Sequence, residues 1–336
     1  LVQRKTYSAY WQQHFAPGTL GNEAEMLNLY RYQSAHNATL NAYHAALGHQ
    51  AEKVARLEEC RFLPITFFKH HDIVTQHPEH YQSDADSVLF LSSGTSQTLF
   101  RSRHIVSDPH WYLSVAQTLF EARYGPLDQW CLFCLLPSYQ ENPDSSLMYM
   151  MQNFCKKAGE SQWAADASGL SEAYAQAQEK GLKFMIWGVT FALLDAAQDF
   201  PMDLTKAHII DTGGMKGRGV ELLREEVQEI LKKAFRPASM GSEYGMTELL
   251  SQAYLDEQGR FRPYPGLKAF VRAIDDPFLY EREGRGLLAL VDTANIDSCA
   301  FIETEDIVEL ASDGSFRTLG RHSGAEIRGC NLRYTV

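Results

Sequence analysis

Between residues 88 and 235, short apolar runs take turns with amphipathic stretches, and this alternation constrains the fold more than anything else in the chain. Trp130–Leu136 is a continuous apolar run closed by Pro137, the pattern of a strand buried on both faces. Phe184–Trp187 and His208–Ile210 are two further short strands. Helical segments separate them. Trp111–Arg123 starts at Asp108-Pro109, Leu147–Lys157 follows, and Ser171–Lys180 stops at Gly181. Another helix runs from the 184–187 strand through Asp199. Val220–Phe235 is the clearest helix, with Val220, Leu223, Val227, Ile230, Leu231 and Ala234 on one face. Such alternation predicts a largely parallel sheet covered by helices. Ligands then sit beyond the carboxyl ends of the strands, where the loops 92–97, 137–146, 211–219 and 241–248 are expected.

The flanks read differently. Residues 4–58 are helical in pattern, and Tyr7, Tyr10, Trp11 and Phe15 form a core stripe at three- and four-residue spacing. Phe62–Asp72 begins extended because Pro64 disfavours helix at Leu63. His70 and His71 are adjacent and diverge in any regular backbone, so they read as solvated side chains rather than metal ligands. From Gly286 the pattern is short strands: Leu287–Val291, Ala300–Ile302, Ile307–Leu310 and Phe316–Leu319, with a hairpin turn at Asp313-Gly314. The expected organisation is a helical segment 1–60 packed on one α/β domain, 61–336, with a β-rich C-terminal part.

Net charge bears on partners. A chain of 336 residues with a net charge of −11 lacks the basic face that a nucleic-acid or anionic-membrane surface needs. No apolar run is long enough to span a bilayer and no signal peptide is legible, so a cytoplasmic protein with free thiols is expected of the six cysteines. Cys131 and Cys134 are spaced C-x-x-C, but in a strand they face opposite ways and belong to the core.

Four stretches carry chemistry. Val88–Leu91 reads as a short buried strand, and Ser92, Ser93, Gly94, Thr95, Ser96 and Gln97 follow it with hydroxyls, a glycine and no charge. Successive backbone N–H groups in such a loop suit a phosphate, although the Walker A spacing and lysine are missing. Tyr244-Gly245-Met246-Thr247-Glu248 puts an aromatic ring, a hydroxyl and a carboxylate within one turn. Asp306 lies in ETEDIVEL, and Gly320-Arg321 leads into Glu326-Ile327-Arg328-Gly329. By residue type alone each has an ordinary reading. The loop is a surface turn, Glu248 a helix N-terminal carboxylate, Asp306 a solvated strand-edge acid, and Cys330 a free thiol.

Taken together and in this order, over roughly residues 88–330, the four stretches resemble the adenylate-forming enzymes. The segments LLPSYQENPDSSLMYM, DTGGMKGRG, SEYGMTELLSQAY, ANIDSCAFI, DGSFRTLGR and IRGCNL are more narrowly similar to the acyl-protein synthetases (LuxE-type). The resemblance implies an α/β fold like the N-terminal domain of those enzymes, with ATP and Mg²⁺ bound. Ser92–Gln97 would wrap the triphosphate. Gly213 and Gly214 would let the backbone approach adenine, and Tyr244, followed by Gly245, would stack on the ring. Thr247 would bond the α-phosphate, Glu248 would hold Mg²⁺, and Asp306 with Arg321 would hold the ribose. Cys330 would receive the acyl group, with Arg328 and Arg333 favouring its thiolate.

The implied reaction converts a carboxylic acid, a fatty acid by family analogy, into acyl-AMP and then into a thioester on Cys330. An acyl-CoA reductase, coenzyme A or a carrier protein would take the acyl group onward. The alternatives are direct transfer from acyl-AMP to coenzyme A or a carrier protein, and a nucleotide-binding partner without turnover. Six residues follow Cys330, so the mobile C-terminal domain of most adenylate formers, with its lysine, is not expected. Arg101 and Arg103 are candidates for the lysine missing after the loop.

Overall fold

The computed structural model describes residues 22–76, 87–93, 101–137, 142–212, 222 and 224–321. Along the chain, α1 (Glu23–His36) and α2 (Ala38–Ala46) precede β1 (Leu63–Pro64), β2 (Val88–Leu91) and β3 (Arg103–Val106). Then come α3 (Pro109–Tyr124), β4 (Trp130–Leu135), α4 (Ser146–Lys157), β5 (Glu160–Trp163) and α5 (Leu170–Glu179). They are followed by β6 (Lys183–Val189), α6 (Thr190–Asp199), β7 (Ala207–Thr212), α7 (Arg224–Phe235) and β8 (Ser239–Tyr244). The rest is strand: β9 (Ala253–Leu255), β10 (Phe261–Arg262), β11 (Leu267–Arg272), β12 (Tyr280–Glu281), β13 (Gly284–Asp292), β14 (Phe301–Leu310) and β15 (Phe316–Arg321).

Every residue of β4 is buried, and its two faces feed different cores. Trp130, Leu132 and Cys134 join the cluster under α3 and α4, while Cys131, Phe133 and Leu135 join the one under α5, α6 and α7. Helices therefore cover both faces, as a continuous apolar strand requires. The two thiols of the C-x-x-C spacing lie in separate layers, as the strand period predicts.

Among the described residues one sheet of thirteen strands runs β12-β11-β13-β14-β15-β10-β9-β8-β7-β6-β4-β5, with β1 paired to β14. The half from β5 to β8 is parallel, with Cys134 beside Trp187, Trp187 beside Ile210, and Ile210 beside Gly241. At β9 the pairing turns antiparallel and stays so through β12. The carboxyl ends of β7 and β8 thus lie next to the β-rich half.

Several expectations are corrected. Val88–Leu91 is a strand, but only Phe90 is buried, and Leu89 is 37% exposed. It pairs with β3 in a separate two-stranded hairpin, outside the large sheet. Ile230, placed on the buried face of the last helix, is exposed, because Val227, Leu231 and Phe235, with Ala234 packed beside them, fill the contact stripe. Residues 241–244 are strand, so the loop expected at 241–248 begins at Gly245. The pieces 300–302 and 307–310 merge into one ten-residue strand, Phe301–Leu310, in which Asp306 pairs with Arg321 of β15. Asp306 therefore stands inside the sheet rather than at an edge.

Helices α1 and α2 are locked to the β-rich half. Asn22 and Asn37 cap them by accepting from Ala24 and Leu40 N–H groups. Buried Gln33 of α1 donates through Nε2 to the carbonyls of Asn295, Ile296 and Ser298, and accepts from Ala300 N–H at 2.9 Å. Glu23 receives Lys268 and Arg282, and Arg282 also reaches Glu58. Hydrogen bonds from Arg282 hold both carboxyls down to about 2.

Candidate active site

The β2–β3 hairpin supplies the base of the hydroxyl loop. Ser92 N–H donates to Ser102 O at 3.0 Å, and Ser102 N–H returns a bond to Ser92 Oγ at 2.9 Å. Arg101 closes the same base by donating to the carbonyls of Ser92 and Leu91, and Arg103 pairs with exposed Asp72. Ser92 and Ser93 are described; Gly94, Thr95, Ser96 and Gln97 lie outside the described residues, as do Gly213, Gly214 and Cys330.

The turn after β8 comes next to this hairpin. Glu248 is 5% exposed and lies close enough to the Ser102 side chain for that hydroxyl to favour its charged form. Burial raises its carboxyl, with Ser102, Arg321 and Lys69 pulling the other way. His104 of β3 links the turn to the hairpin, its Nδ1 lying 2.7 Å from the Thr247 carbonyl. Its Nε2 lies 3.1 Å from Asn295 Oδ1, while Asn295 Nδ2 donates to the Glu248 carbonyl at 2.7 Å. His104 is fully buried and burial pushes it down to about 4, so at neutral pH it is an uncharged strut.

The far side of the turn hangs on Asp292 at the end of β13. Its carboxylate accepts from Leu250 N–H at 2.8 Å, Ser251 N–H at 3.0 Å, Ser251 Oγ at 2.7 Å and Ala294 N–H at 3.2 Å. Four donors satisfy a side chain with no solvent exposure, although burial still raises its carboxyl. A Cβ at Gly245 would lie 2.2 Å from Glu243 Oε1, so a larger residue there would push the Glu243 carboxyl aside.

The third part joins Tyr244, Asp306 and Arg321. Tyr244 Oη donates to Asp306 Oδ2 at 2.7 Å, and Arg321 Nε donates to Asp306 Oδ1 at 3.0 Å. The Tyr244 ring packs on Phe261 and Phe316, which leaves it 8% exposed. Beside it, at the ends of β7 and β8, Thr190 Oγ1 donates to Asp211 at 2.6 Å and Thr212 Oγ1 to Glu243 at 2.5 Å. Burial raises both acids, Asp211 to about 6.

Ser92, Ser93, Tyr244, Gly245, Thr247, Glu248, Asp306 and Arg321 therefore come together at the junction of the two halves of the sheet. Sequence reasoning missed Ser102, His104, Asp292, Asn295 and Gln33, whose only mark is a polar residue within or beside an apolar run. Among the described residues no group of three or more His, Cys, Asp or Glu side chains could hold a metal ion alone. Also among them, no helix is long and apolar enough to cross a membrane.

No family model matches the chain, and no curated protein does. Solved structures do match. An open conformation of 2-hydroxyisobutyryl-CoA ligase, in complex with 2-HIB-AMP and CoA, aligns at a TM-score of 0.58 and 10% identity, over 89% of this chain and 69% of the ligase. An ATP-bound RpMatB–BxBclM chimera aligns at 0.52 and 15% identity, over 69% of this chain and 47% of the chimera. Apo MatB from Rhodopseudomonas palustris aligns at 0.51 and 14%, over the same shares. The fold is that of the adenylate-forming enzymes. The chain spans about half the length of MatB and of the chimera.

Proposed function

We propose that this chain activates a carboxylic acid with ATP as acyl-AMP and then passes the acyl group to a thiol. The observation that carries the reading is the junction itself. Tyr244 and Asp306, 62 residues apart, form one hydrogen-bonded unit, and the Thr247–Glu248 turn beside it is fastened through His104 to β3, the strand that carries the base of the hydroxyl loop. A nucleotide needs these groups in one place: N–H donors for phosphates, a hydroxyl at the reacting phosphorus and an acceptor for ribose.

The residues act as positioning groups. Ser92–Gln97 cradle the β- and γ-phosphates, Gly213 and Gly214 admit the adenine, and Tyr244 flanks it. Asp306, oriented by Arg321, accepts from the ribose hydroxyls, and Thr247 donates to an α-phosphate oxygen. The acid's carboxylate oxygen attacks the α-phosphorus and pyrophosphate leaves, a step served by fixed donors rather than by a protein nucleophile. Mg²⁺ bound with a nucleotide takes one or two carboxylates beside phosphates and water, so a single buried carboxylate at Glu248 fits that donor set. The ion supplies neutralisation of charge on the departing pyrophosphate.

Within this reading the acceptor is Cys330, as in the acyl-protein synthetases, and the acid is a fatty acid. The thiolate attacks the acyl carbon, AMP leaves, and a thioester remains for an acyl-CoA reductase, coenzyme A or carrier protein. ATP–pyrophosphate exchange with a panel of carboxylic acids tests the first half, and failure with every acid rejects adenylation. Intact mass of wild type and Cys330→Ala after reaction tests the second. A second reading, transfer straight to coenzyme A, is favoured by the ligase neighbour whose structure holds both an acyl adenylate and CoA. Retained CoA thioester formation in Cys330→Ala would select it.

A further inference from the structure

The partner of Cys134 is not Cys131 but Cys155. Its Sγ lies 3.5 Å from that of Cys155 on α4, on the face of β4 turned toward that helix. Cys134 is completely buried, whereas Cys155 is half-buried. The geometry points to a redox modification site: we propose that Cys134 and Cys155 close to an intramolecular disulfide when the folded protein meets a peroxide. This does not depend on the reaction proposed above.

The two sulfurs have unequal roles. Cys134 hydrogen-bonds the Cys155 sulfur, the largest influence holding that thiol below the usual range, while Ser161 Oγ donates to the Cys155 carbonyl at 3.0 Å. The Cys134 thiol is raised by the same contact and by burial. Cys155, the less buried of the pair, is therefore the attacking group. Its thiolate displaces hydroxide from hydrogen peroxide to give a sulfenic acid; the Cys134 sulfur then attacks the Cys155 sulfur and water leaves. In sum two thiols and one peroxide give one disulfide and two waters. Burial lifts the other described thiols, Cys131 to about 11 and Cys299 to about 12, with Cys60 further still. They are poor competitors.

The bridge would fall at a consequential place. The first turn of α4 and the residues before it hold the β2 hairpin: Leu91 N–H donates to Asp144 O at 2.9 Å, and Phe90 packs on Tyr149 at 5.4 Å. A disulfide would pin the last turn of the same helix to β4.

The test uses the full chain, reduced, freed of reductant and exposed to hydrogen peroxide, with peptide mapping under alkylation. The expected result is loss of the mass of two hydrogens and a Cys134–Cys155 linked peptide, reversed by dithiothreitol and absent in Cys155→Ser. In Cys134→Ala, peroxide should leave Cys155 as a sulfenic acid that dimedone traps. If Cys134→Ala does not fold, the wild-type map decides alone. Linkage of Cys155 to Cys330 or any other cysteine would overturn the proposal. So would a Cys155 that stays unmodified until urea unfolds the chain.

Discussion

Tyr244 donates to one oxygen of Asp306 while Arg321 donates to the other, so the carboxylate is fixed in plane and in rotation by partners on two different strands. Removing the phenol and removing the acid should therefore differ. Tyr244→Phe leaves Arg321 in place and should cost about 1 kcal/mol of stability, the usual worth of one such bond. Asp306→Ala removes the ribose acceptor and strands both donors, and should weaken ATP binding roughly tenfold or more. Denaturant melts and calorimetry with a non-hydrolysable ATP analogue check both. Equal ATP affinities in the two variants would remove Asp306 from the ribose site.

Glu248→Gln keeps the side chain's shape and deletes the charge. The expected outcome is a folded protein whose pyrophosphate exchange falls roughly a hundredfold, the scale of losing electrostatic stabilisation at a phosphoryl centre. Raising Mg²⁺ should recover part of it. Unchanged exchange across a Mg²⁺ titration would place the ion elsewhere.

Asp211 should make stability fall as pH rises, against the usual trend for acids. Its carboxyl is moved from 3.8 up to about 6 by burial. Between those values the folded chain binds the proton more tightly, so folding weakens with rising pH and the loss is complete above about 6. Two units correspond to roughly 3 kcal/mol as an upper figure. Asp211→Asn can still accept from Thr190, and its stability advantage over wild type should be near zero below pH 4 and full above pH 6. A pH-independent difference would contradict the burial argument.

His104 and His44 act in the opposite sense. Burial takes each from 6.5 down to about 4, so between those values only the unfolded chain binds their protons. Their stabilisation is full above pH 6.5 and is lost as pH falls toward 4, by up to roughly 3 kcal/mol each. Imidazole NMR should find both rings neutral at pH 6; a charged His104 at that pH would refute the prediction. His104→Leu should cost about 2 kcal/mol at neutral pH by leaving the Thr247 carbonyl unpaired, and should raise the KM for ATP.

The regular parts of the fold could be read directly from residue pattern. β4 announces itself because six consecutive buried positions leave no polar choice, and α7 because its charges and apolar residues separate cleanly. β8, SMGSEY, hid because its buried positions include Gly241 and Ser242, whose burial comes from neighbours rather than from their own apolarity. β2 misled because an apolar run says nothing about which sheet receives it. In the site, Tyr244, Glu248 and Asp306 stood out through motif order, while Ser102, His104, Asp292 and Asn295 did not. Those four matter through long-range hydrogen bonds, a relation that no local spacing encodes.

Gln33 gives the opening helices a meaning that their position in the chain conceals. One amide side chain carries the backbone of 295–300, and Asn295 from that same segment carries the turn that bears Thr247 and Glu248. An expression boundary drawn after residue 60 would therefore not trim an accessory. It would take the keystone from under the loop it was meant to preserve, and a shortened chain could keep its parallel sheet yet lose nucleotide binding.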